Sequence, residues 1–239
     1  MLKLDAVTVQ KGDFRLQADL QIATGAQVAV IGPSGAGKST LLEAIAGFLL
    51  ARDGRILWRG EDITALPPGQ RPVAMLFQDG NLFPHLTLRQ NVGLGIDANR
   101  RLSAAQTDVV SAALARVGLG GMEERKPADL SGGQQSRAAL ARVLVQGRDL
   151  LLLDEPFAAL GPALKAEMLD LVAEIVAEKG ATLLMVSHDP QDARRIAAEV
   201  VLVAEGRALP PLPTAEMLDN PPPALRAYLG APQILDPDR

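Results

Sequence analysis

The sequence predicts an α/β fold: a mostly parallel core sheet, an antiparallel β subdomain near the N-terminus, and a helical subdomain inserted into the sheet domain. Three observations carry this prediction. Apolar runs of strand length, QVAVI at 27–31, LLLL at 150–153 and ATLLMV at 181–186, alternate with helical patterns. Such continuous runs suit strands buried on both faces. The first 22 residues instead alternate apolar and polar positions, and the stretch from about 87 to 146 carries few strand signals.

In chain order, Leu2, Leu4, Ala6-Val7 and Val9 read as one strand, and Leu16, Ala18, Leu20 and Ile22 as its antiparallel neighbour. Gln27 to Ile31 reads as a buried strand, and Ser39 to Gly47 as a helix. Pro72 to Phe77 reads as another strand. From Thr87 to Val117 the pattern turns helical with polar punctuation, and a second helical run opens at Leu130 and extends toward Val145. Leu150 to Leu153 is a strand ending on Asp154-Glu155, Pro162 to Glu178 an amphipathic helix, and Ala181 to Val186 a buried strand ending at Ser187-His188. Val200 to Ala204 reads as the last strand of the main sheet. The proline-rich stretch from Pro210 leaves room for two short helices near Ala215 and Ala224, so 208–239 forms a short C-terminal extension of one domain spanning 1–239.

Composition narrows the function classes. Apolar residues make up 48% of the 239, enough for a large core, and aromatics only 3%, so that core is aliphatic. A net charge of -4 lacks the basic face that nucleic-acid binding needs, so no nucleic-acid partner is expected. The chain has no cysteine, which excludes disulfides, thiolate zinc sites and cysteine nucleophiles, and only two histidines. No signal-peptide pattern and no membrane-length apolar run is present, so work at a membrane requires docking on a partner.

The chemistry is concentrated in three motifs. GPSGAGKST, Gly32 to Thr40, follows a strand and opens a helix, the context of a phosphate-binding loop. Gly32, Gly35 and Gly37 allow positive φ, so the backbone N–H groups of the loop, those of Ser34 and Ala36 among them and with Pro33 shaping the turn, can close around phosphate. Lys38 brings a positive charge to the β- and γ-phosphates, Ser39 a hydroxyl for Mg²⁺, and Thr40 a further donor. ATP and Mg²⁺ are the implied ligands. In LLLLDEP, Asp154 stands where a carboxylate can hold Mg²⁺ through water, and Glu155 is placed as a general base. In LSGGQ, Ser131, Gly132, Gly133 and Gln134 precede a helix; a second anion site and a helix N-cap are both consistent with that pattern.

Taken in order, the phosphate loop, Gln78 in MLFQ, LSGGQ, LLLLDEP and His188 in VSHD resemble the nucleotide-binding subunits of ATP-binding-cassette (ABC) transporters over about residues 1–207. The resemblance implies a phosphate-loop NTPase cassette and a head-to-tail dimer with a second copy, each ATP lying between the phosphate loop of one chain and the LSGGQ of the other. It also implies that Gln78 senses Mg²⁺ and the attacking water, and that His188 contacts the γ-phosphate. The chain departs from the family at Gly161, where an aspartate is usual, and near Lys11, where an aromatic is usual for adenine stacking. Phe14 with a shifted loop, or the stem of Lys11, would serve instead.

The stretches 71–96, 41–48 and 182–189 resemble the bacterial thiamine-import ATPases. That implies ATP hydrolysis coupled to import of thiamine or its phosphates, at the cytoplasmic face of the inner membrane, through a permease and indirectly a periplasmic solute-binding protein. Importers of another small solute, or a soluble ATPase of the same superfamily, are the competing readings. Apolar Leu82, Phe83, Pro84 and Leu86 in the loop from Gln78 to Thr87 suit a docking surface for the permease, and also ordinary loop packing.

Overall fold

The computed structural model describes residues 1–78, 80–99 and 101–229. The C-terminal extension expected from the sequence is therefore described as far as 229, and 230–239 lie outside the described residues. No helix among the described residues is long and apolar enough to cross a membrane.

The chain opens with β1 (Leu2–Lys11) and β2 (Phe14–Ile22), antiparallel as expected, with Leu2 opposite Ile22 and Leu4 opposite Leu20. Between Leu4 and Val7 the register shifts, and Ala6 takes φ 48°. The buried positions move from even to odd numbers at that point, Leu2 and Leu4 giving way to Val7 and Val9. One extra residue in a bulge does this, because side chains alternate faces with period two. The Ala6-Val7 break in the sequence alternation is that bulge.

β3 (Gln27–Ile31) leads through the glycine loop to α1 (Lys38–Ala46). β4 (Asp53–Trp58) and β5 (Glu61–Asp62) extend the antiparallel side, and neither carries a sequence signal. Only Ile56 and Trp58 of β4 are buried, too few to show alternation. β6 (Val73–Leu76), β7 (Leu150–Asp154), β8 (Thr182–Val186) and β9 (Glu199–Ala204) complete the parallel part. β9 is not the end of the sheet. β10 (Arg207–Ala208) runs parallel to β2 and antiparallel to β9, and so stitches the two halves together; β11 (Leu212–Pro213) pairs with β9. Two-residue strands of this kind leave no periodicity to read. The order is β5-β4-β1-β2-β10-β9-β3-β8-β7-β6.

β3 shows how the core is divided. Val28 and Val30 face a cluster with Leu41, Leu42 and Ile45 of α1 and with the antiparallel strands. Ala29 and Ile31 face the opposite cluster, which holds the remaining helices. Those helices are α2 (Leu88–Gly93), α3 (Ala104–Arg116), α4 (Gly132–Leu144), α5 (Pro162–Lys179) and α6 (Pro190–Ile196), followed by α7 (Thr214–Asp219) and α8 (Pro223–Leu229). Leu88, Val110 and Leu140 of the inserted helices share that cluster with Leu151 and Leu183 of the sheet.

The inserted helices begin alike. Thr87, Ser103 and Ser131 each cap with a side chain that accepts from the N–H three residues on, where a glutamine reaches back. This is the reciprocal capping box.

At the far end of α1, the fully buried Arg71 donates to the carbonyls of Ala44 and Ile45, both at 2.8 Å. It also donates to Leu66 O at 2.8 Å and Thr64 O at 2.7 Å. A cation at the C-terminal carbonyls complements the helix dipole whose other end meets the glycine loop.

Candidate functional site

Parallel register places the chemistry along one sheet edge. Val30 pairs with Val186 of β8, Val186 with Asp154 of β7, and Leu153 with Leu76 of β6. Four strands therefore finish at one level. The segments leaving them emerge side by side: the glycine loop, Ser187-His188, Glu155, and Phe77-Gln78. In open α/β sheets ligands bind outside these carboxyl ends.

The glycine loop takes the backbone its residues allow. Gly32, Gly35 and Gly37 have φ of 150°, 75° and 105°. At Gly32 an added Cβ would lie 1.9 Å from Val203 O, and at Gly37 it would lie 2.7 Å from the Phe14 ring. Neither position has room for a side chain. The Ala36 N–H donates to Pro33 O at 3.2 Å, closing the turn.

Above the loop lies a cavity of about 460 Å³, within the range of small-molecule sites. Ser34, Gly35, Gly37, Lys38, Ser39 and Thr40 form its floor. Its walls are Lys11, Phe14, Gln78 and Glu155. Phe14 is half-buried against Gly37, while Lys11 is tied to Glu43 by an ion pair of 2.7 Å. Both candidates for adenine contact thus reach the cavity, but the Lys11 head is engaged.

Lys38 is buried, and its ammonium donates to Gly32 O at 2.8 Å and Pro33 O at 3.0 Å. Burial pulls its pKa down, opposed by the charges of Glu155 and Asp154. A charge held over main-chain carbonyls has much to gain from phosphate oxygens. The Ser39 hydroxyl donates to Asp154 Oδ1 at 3.1 Å. Burial raises the Asp154 carboxyl above its ordinary 3.8, the Ser39 hydrogen bond opposing it and the Glu155 and Glu43 charges adding to it. A hydroxyl and a buried carboxylate in contact are hard oxygen donors that fit Mg²⁺, which is typically held by one or two protein oxygens plus substrate phosphate. No group of three or more acidic or histidine ligands occurs among the described residues.

Glu155 has φ 43°, a left-handed conformation that a non-glycine residue enters only under local constraint. Its N–H donates to Val186 O at 3.2 Å, and its Oε2 lies 3.3 Å from His188 Nδ1. The strained turn thus directs the carboxylate at the end of β7 toward the neighbouring strand end.

Three residues that the motifs did not flag, Lys165, Asp192 and Tyr228, hold the histidine segment. Lys165 of α5 bridges Asp192 at 2.7 Å and Asp189 at 3.1 Å. Ser187 bonds Asp192, and Tyr228 of α8 bonds the His188 carbonyl. Burial lowers the Lys165 pKa, but its bonds to the two aspartates outweigh this and carry it upward. The available signal was compositional: Tyr228 is the only tyrosine in the chain.

The Ser131–Gln134 segment does not line the cavity. Ser131 and Gln134 saturate each other in the capping box, leaving the N–H groups of Gly132 and Gly133 without an acceptor among the described residues. The other two boxes carry Leu88-Arg89 and Ala104-Ala105 at the equivalent positions. Close packing accounts for Gly133, where an added Cβ would lie 2.6 Å from Leu164 Cδ2, whereas Gly132 faces open space; glycine weakens a helix, and at Gly132 it leaves the N–H open to approach. Gly161, the N-cap of α5, has φ -64° with open space around it and no side-chain cap.

The apolar loop splits between the two readings of it. Leu86 is buried and Leu82 packs on the core, whereas Phe83 is 46% exposed. The buried Asn91 organises this loop, accepting from Phe83 N–H and donating to the carbonyls of Phe83, Leu86 and Thr87. Arg142 of α4 donates to Gly80 O and Asn81 O, both at 2.7 Å, and fastens the segment after Gln78. Phe48, exposed and in edge contact with Phe77, adds apolar surface that no sequence pattern marks.

Comparison with known proteins identifies the family. Residues 16–158 match the family model described as ABC transporter. A thiamine import ATP-binding protein ThiQ of Ruegeria sp. (strain TM1040) is 72% identical, over 97% of this chain and all of the relative. A protein of the same name from Cereibacter sphaeroides is 64% identical over 96% of this chain, again spanning the whole relative. Among solved structures, a dimeric ATP-binding cassette in a post-hydrolysis state with ADP and Pi aligns with TM-score 0.79 and 28% identity, over 90% of this chain and 99% of that one. An ABC transporter cassette in its ADP conformation aligns with TM-score 0.85 at 24% identity, over 96% and 98% of the two chains, a likeness of fold. The chain belongs to the ABC transporter family, as one of its ATP-binding cassettes.

Proposed function

We propose that this chain is the ATP-hydrolysing subunit that energises import of thiamine, or its phosphates, through a membrane permease. The observation that carries the ATPase reading is the shared sheet edge, where the loop with Lys38 and Ser39 meets Asp154, Glu155 and His188. The cargo reading rests on the thiamine-import relatives at 72% and 64% identity.

In this reading the loop N–H groups and Lys38 hold the β- and γ-phosphates, and Phe14 stacks on the adenine. Ser39 and Asp154, together with Gln78, would hold Mg²⁺. When bound, Mg²⁺ neutralises charge on the phosphate oxygens. Glu155 accepts the proton of the attacking water, and His188 positions Glu155 and reaches the γ-phosphate. A second copy, packed head to tail, supplies Ser131 to Gln134, whose free N–H groups close over the same phosphate. ATP then closes the dimer, closure moves the permease, and hydrolysis reopens it. The permease docks near Gln78 to Thr87 at the cytoplasmic face of the membrane, and the periplasmic solute-binding protein acts through the permease.

Glu155→Gln tests the mechanism. The amide keeps the side-chain shape and removes the base, so ATP should hold a stable dimer in size-exclusion chromatography while phosphate release falls by about 100-fold or more. Normal turnover by this variant would remove Glu155 from the role. The cargo is tested by ATPase activity of the complex reconstituted with permease and solute-binding protein: thiamine should stimulate it, and indifference to thiamine would assign another solute.

A further inference from the structure

The histidine segment is anchored from a part of the chain that none of the ATPase motifs includes. Leu225 of α8 is fully buried in the main apolar cluster, and the Tyr228 ring packs against the same cluster. From that anchored position the Tyr228 hydroxyl donates to the His188 carbonyl at 2.8 Å. The next N–H, that of Asp189, donates to Ser187 Oγ at 3.0 Å. Both polar ends of the His188–Asp189 peptide are therefore held, one by a local turn and one by α8. Lys165 secures the following carboxylates, Asp189 and Asp192. The imidazole itself is exposed and has Glu155 as its one hydrogen-bonding partner among the described residues. Its direction thus depends on the plane of its own peptide.

We propose that Tyr228 is a positioning residue for ATP hydrolysis, fixing the His188 peptide so that the imidazole stays on Glu155. The proposal rests on the assignment of Glu155 and His188 to the hydrolytic site. Burial, with Glu155 and Asp189 nearby, raises the phenol pKa, so the hydroxyl remains protonated and a donor at neutral pH. Tyr228 touches no reacting atom. It acts through His188, and by this contact α8 becomes part of the catalytic apparatus rather than a passive cover of β9.

Tyr228→Phe in the full chain removes the donor and keeps the ring in the cluster. Loss of one hydrogen bond that orders the site should lower kcat about five- to tenfold, with KM for MgATP within about twofold. Thermal unfolding should shift by no more than about 4 °C. In a His188→Ala background the same substitution should change kcat by less than about twofold, because the two act as one unit. A merely structural tyrosine would instead lower stability and leave the kcat of the folded protein alone. Unchanged kcat in Tyr228→Phe while His188→Ala is slow overturns this proposal alone. So does an equal loss of kcat in both backgrounds. An unimpaired His188→Ala overturns both this proposal and the catalytic assignment of His188.

Discussion

Replacing Arg71 by methionine should destabilise the protein by about 3–5 kcal/mol, because a buried cation serves four carbonyls at once. Methionine preserves much of the volume, so the loss isolates the hydrogen bonds. Of the four acceptors, Ala44 O keeps the Gly47 N–H at 3.2 Å. Those of Ile45, Thr64 and Leu66 have no second partner among the described residues. Three orphaned acceptors at about 1–3 kcal/mol each, reduced by partial entry of water, give the stated range. Gly47 reinforces the argument. A Cβ there would sit 2.5 Å from Arg71 Nε, so the glycine exists to admit the guanidinium. Urea unfolding measured in the absence of nucleotide should show a lower midpoint at unchanged m-value. The melting temperature should fall by about 6–20 °C for a chain of this size. Arg71→Lys should lie between, since an ammonium cannot match the planar fork. A loss below about 1 kcal/mol for Arg71→Met would refute the reasoning, and would mean that water or a shifted Leu66 segment satisfies the end of α1.

Asp154→Asn should stabilise the metal-free protein while reducing Mg²⁺-dependent turnover at least about tenfold; the amide oxygen still accepts from Ser39, and only the charge is lost. The sign follows from the raised carboxyl pKa: the folded chain binds this proton more tightly than the unfolded chain, so native Asp154 costs stability as pH rises above the ordinary 3.8, and the variant should lose that part of the pH dependence in melting scans without Mg²⁺. Phe14→Ala should raise KM for ATP about tenfold if the ring stacks on adenine; a drop in melting temperature at constant KM would assign Phe14 to packing on Gly37 alone. Gly161→Asp should raise the melting temperature by about 2–4 °C, because φ -64° suits any residue, the space is open, and the unfolded chain loses freedom. A lowered melting temperature would contradict the open N-cap geometry.

The elements legible in the sequence were those with a strong period or a fixed local chemistry. β3, β7 and β8 announced themselves as apolar runs, since a strand covered on both faces has no polar position to spare. The strand β1 was legible from its alternation, but the bulge between Leu4 and Val7 was not read from it; the register shift came only with the pairing to β2. The elements without such a signal are short or mostly exposed. β4 buries two side chains, and β10 and β11 have two residues each, so their existence is decided by the neighbours that pair with them. α6 is seven residues long and lies directly behind the VSHD motif, too short to show a helical period.

For the site, the glycine loop from Gly32 to Thr40 could be read residue by residue, because cradling a phosphate with main-chain N–H groups demands glycines and a helix start at fixed spacing. The sequence also named Asp154, Glu155 and His188 as strand ends. Which strand ends meet is another matter. That is set by the parallel pairing of β3, β8, β7 and β6, which joins Val30 to Val186, Val186 to Asp154 and Leu153 to Leu76 across gaps of tens of residues. Arg71, Lys165 and Tyr228 belong to the same class of information. Each looks like an ordinary polar residue in its own segment and acquires its task from a partner far along the chain: Arg71 from α1, Lys165 from Asp189 and Asp192, Tyr228 from His188. Local chemistry is written in local spacing, so the sequence alone determined the phosphate loop. The long-range hydrogen bonds that hold the site in place arise only when the tertiary fold brings their partners within reach.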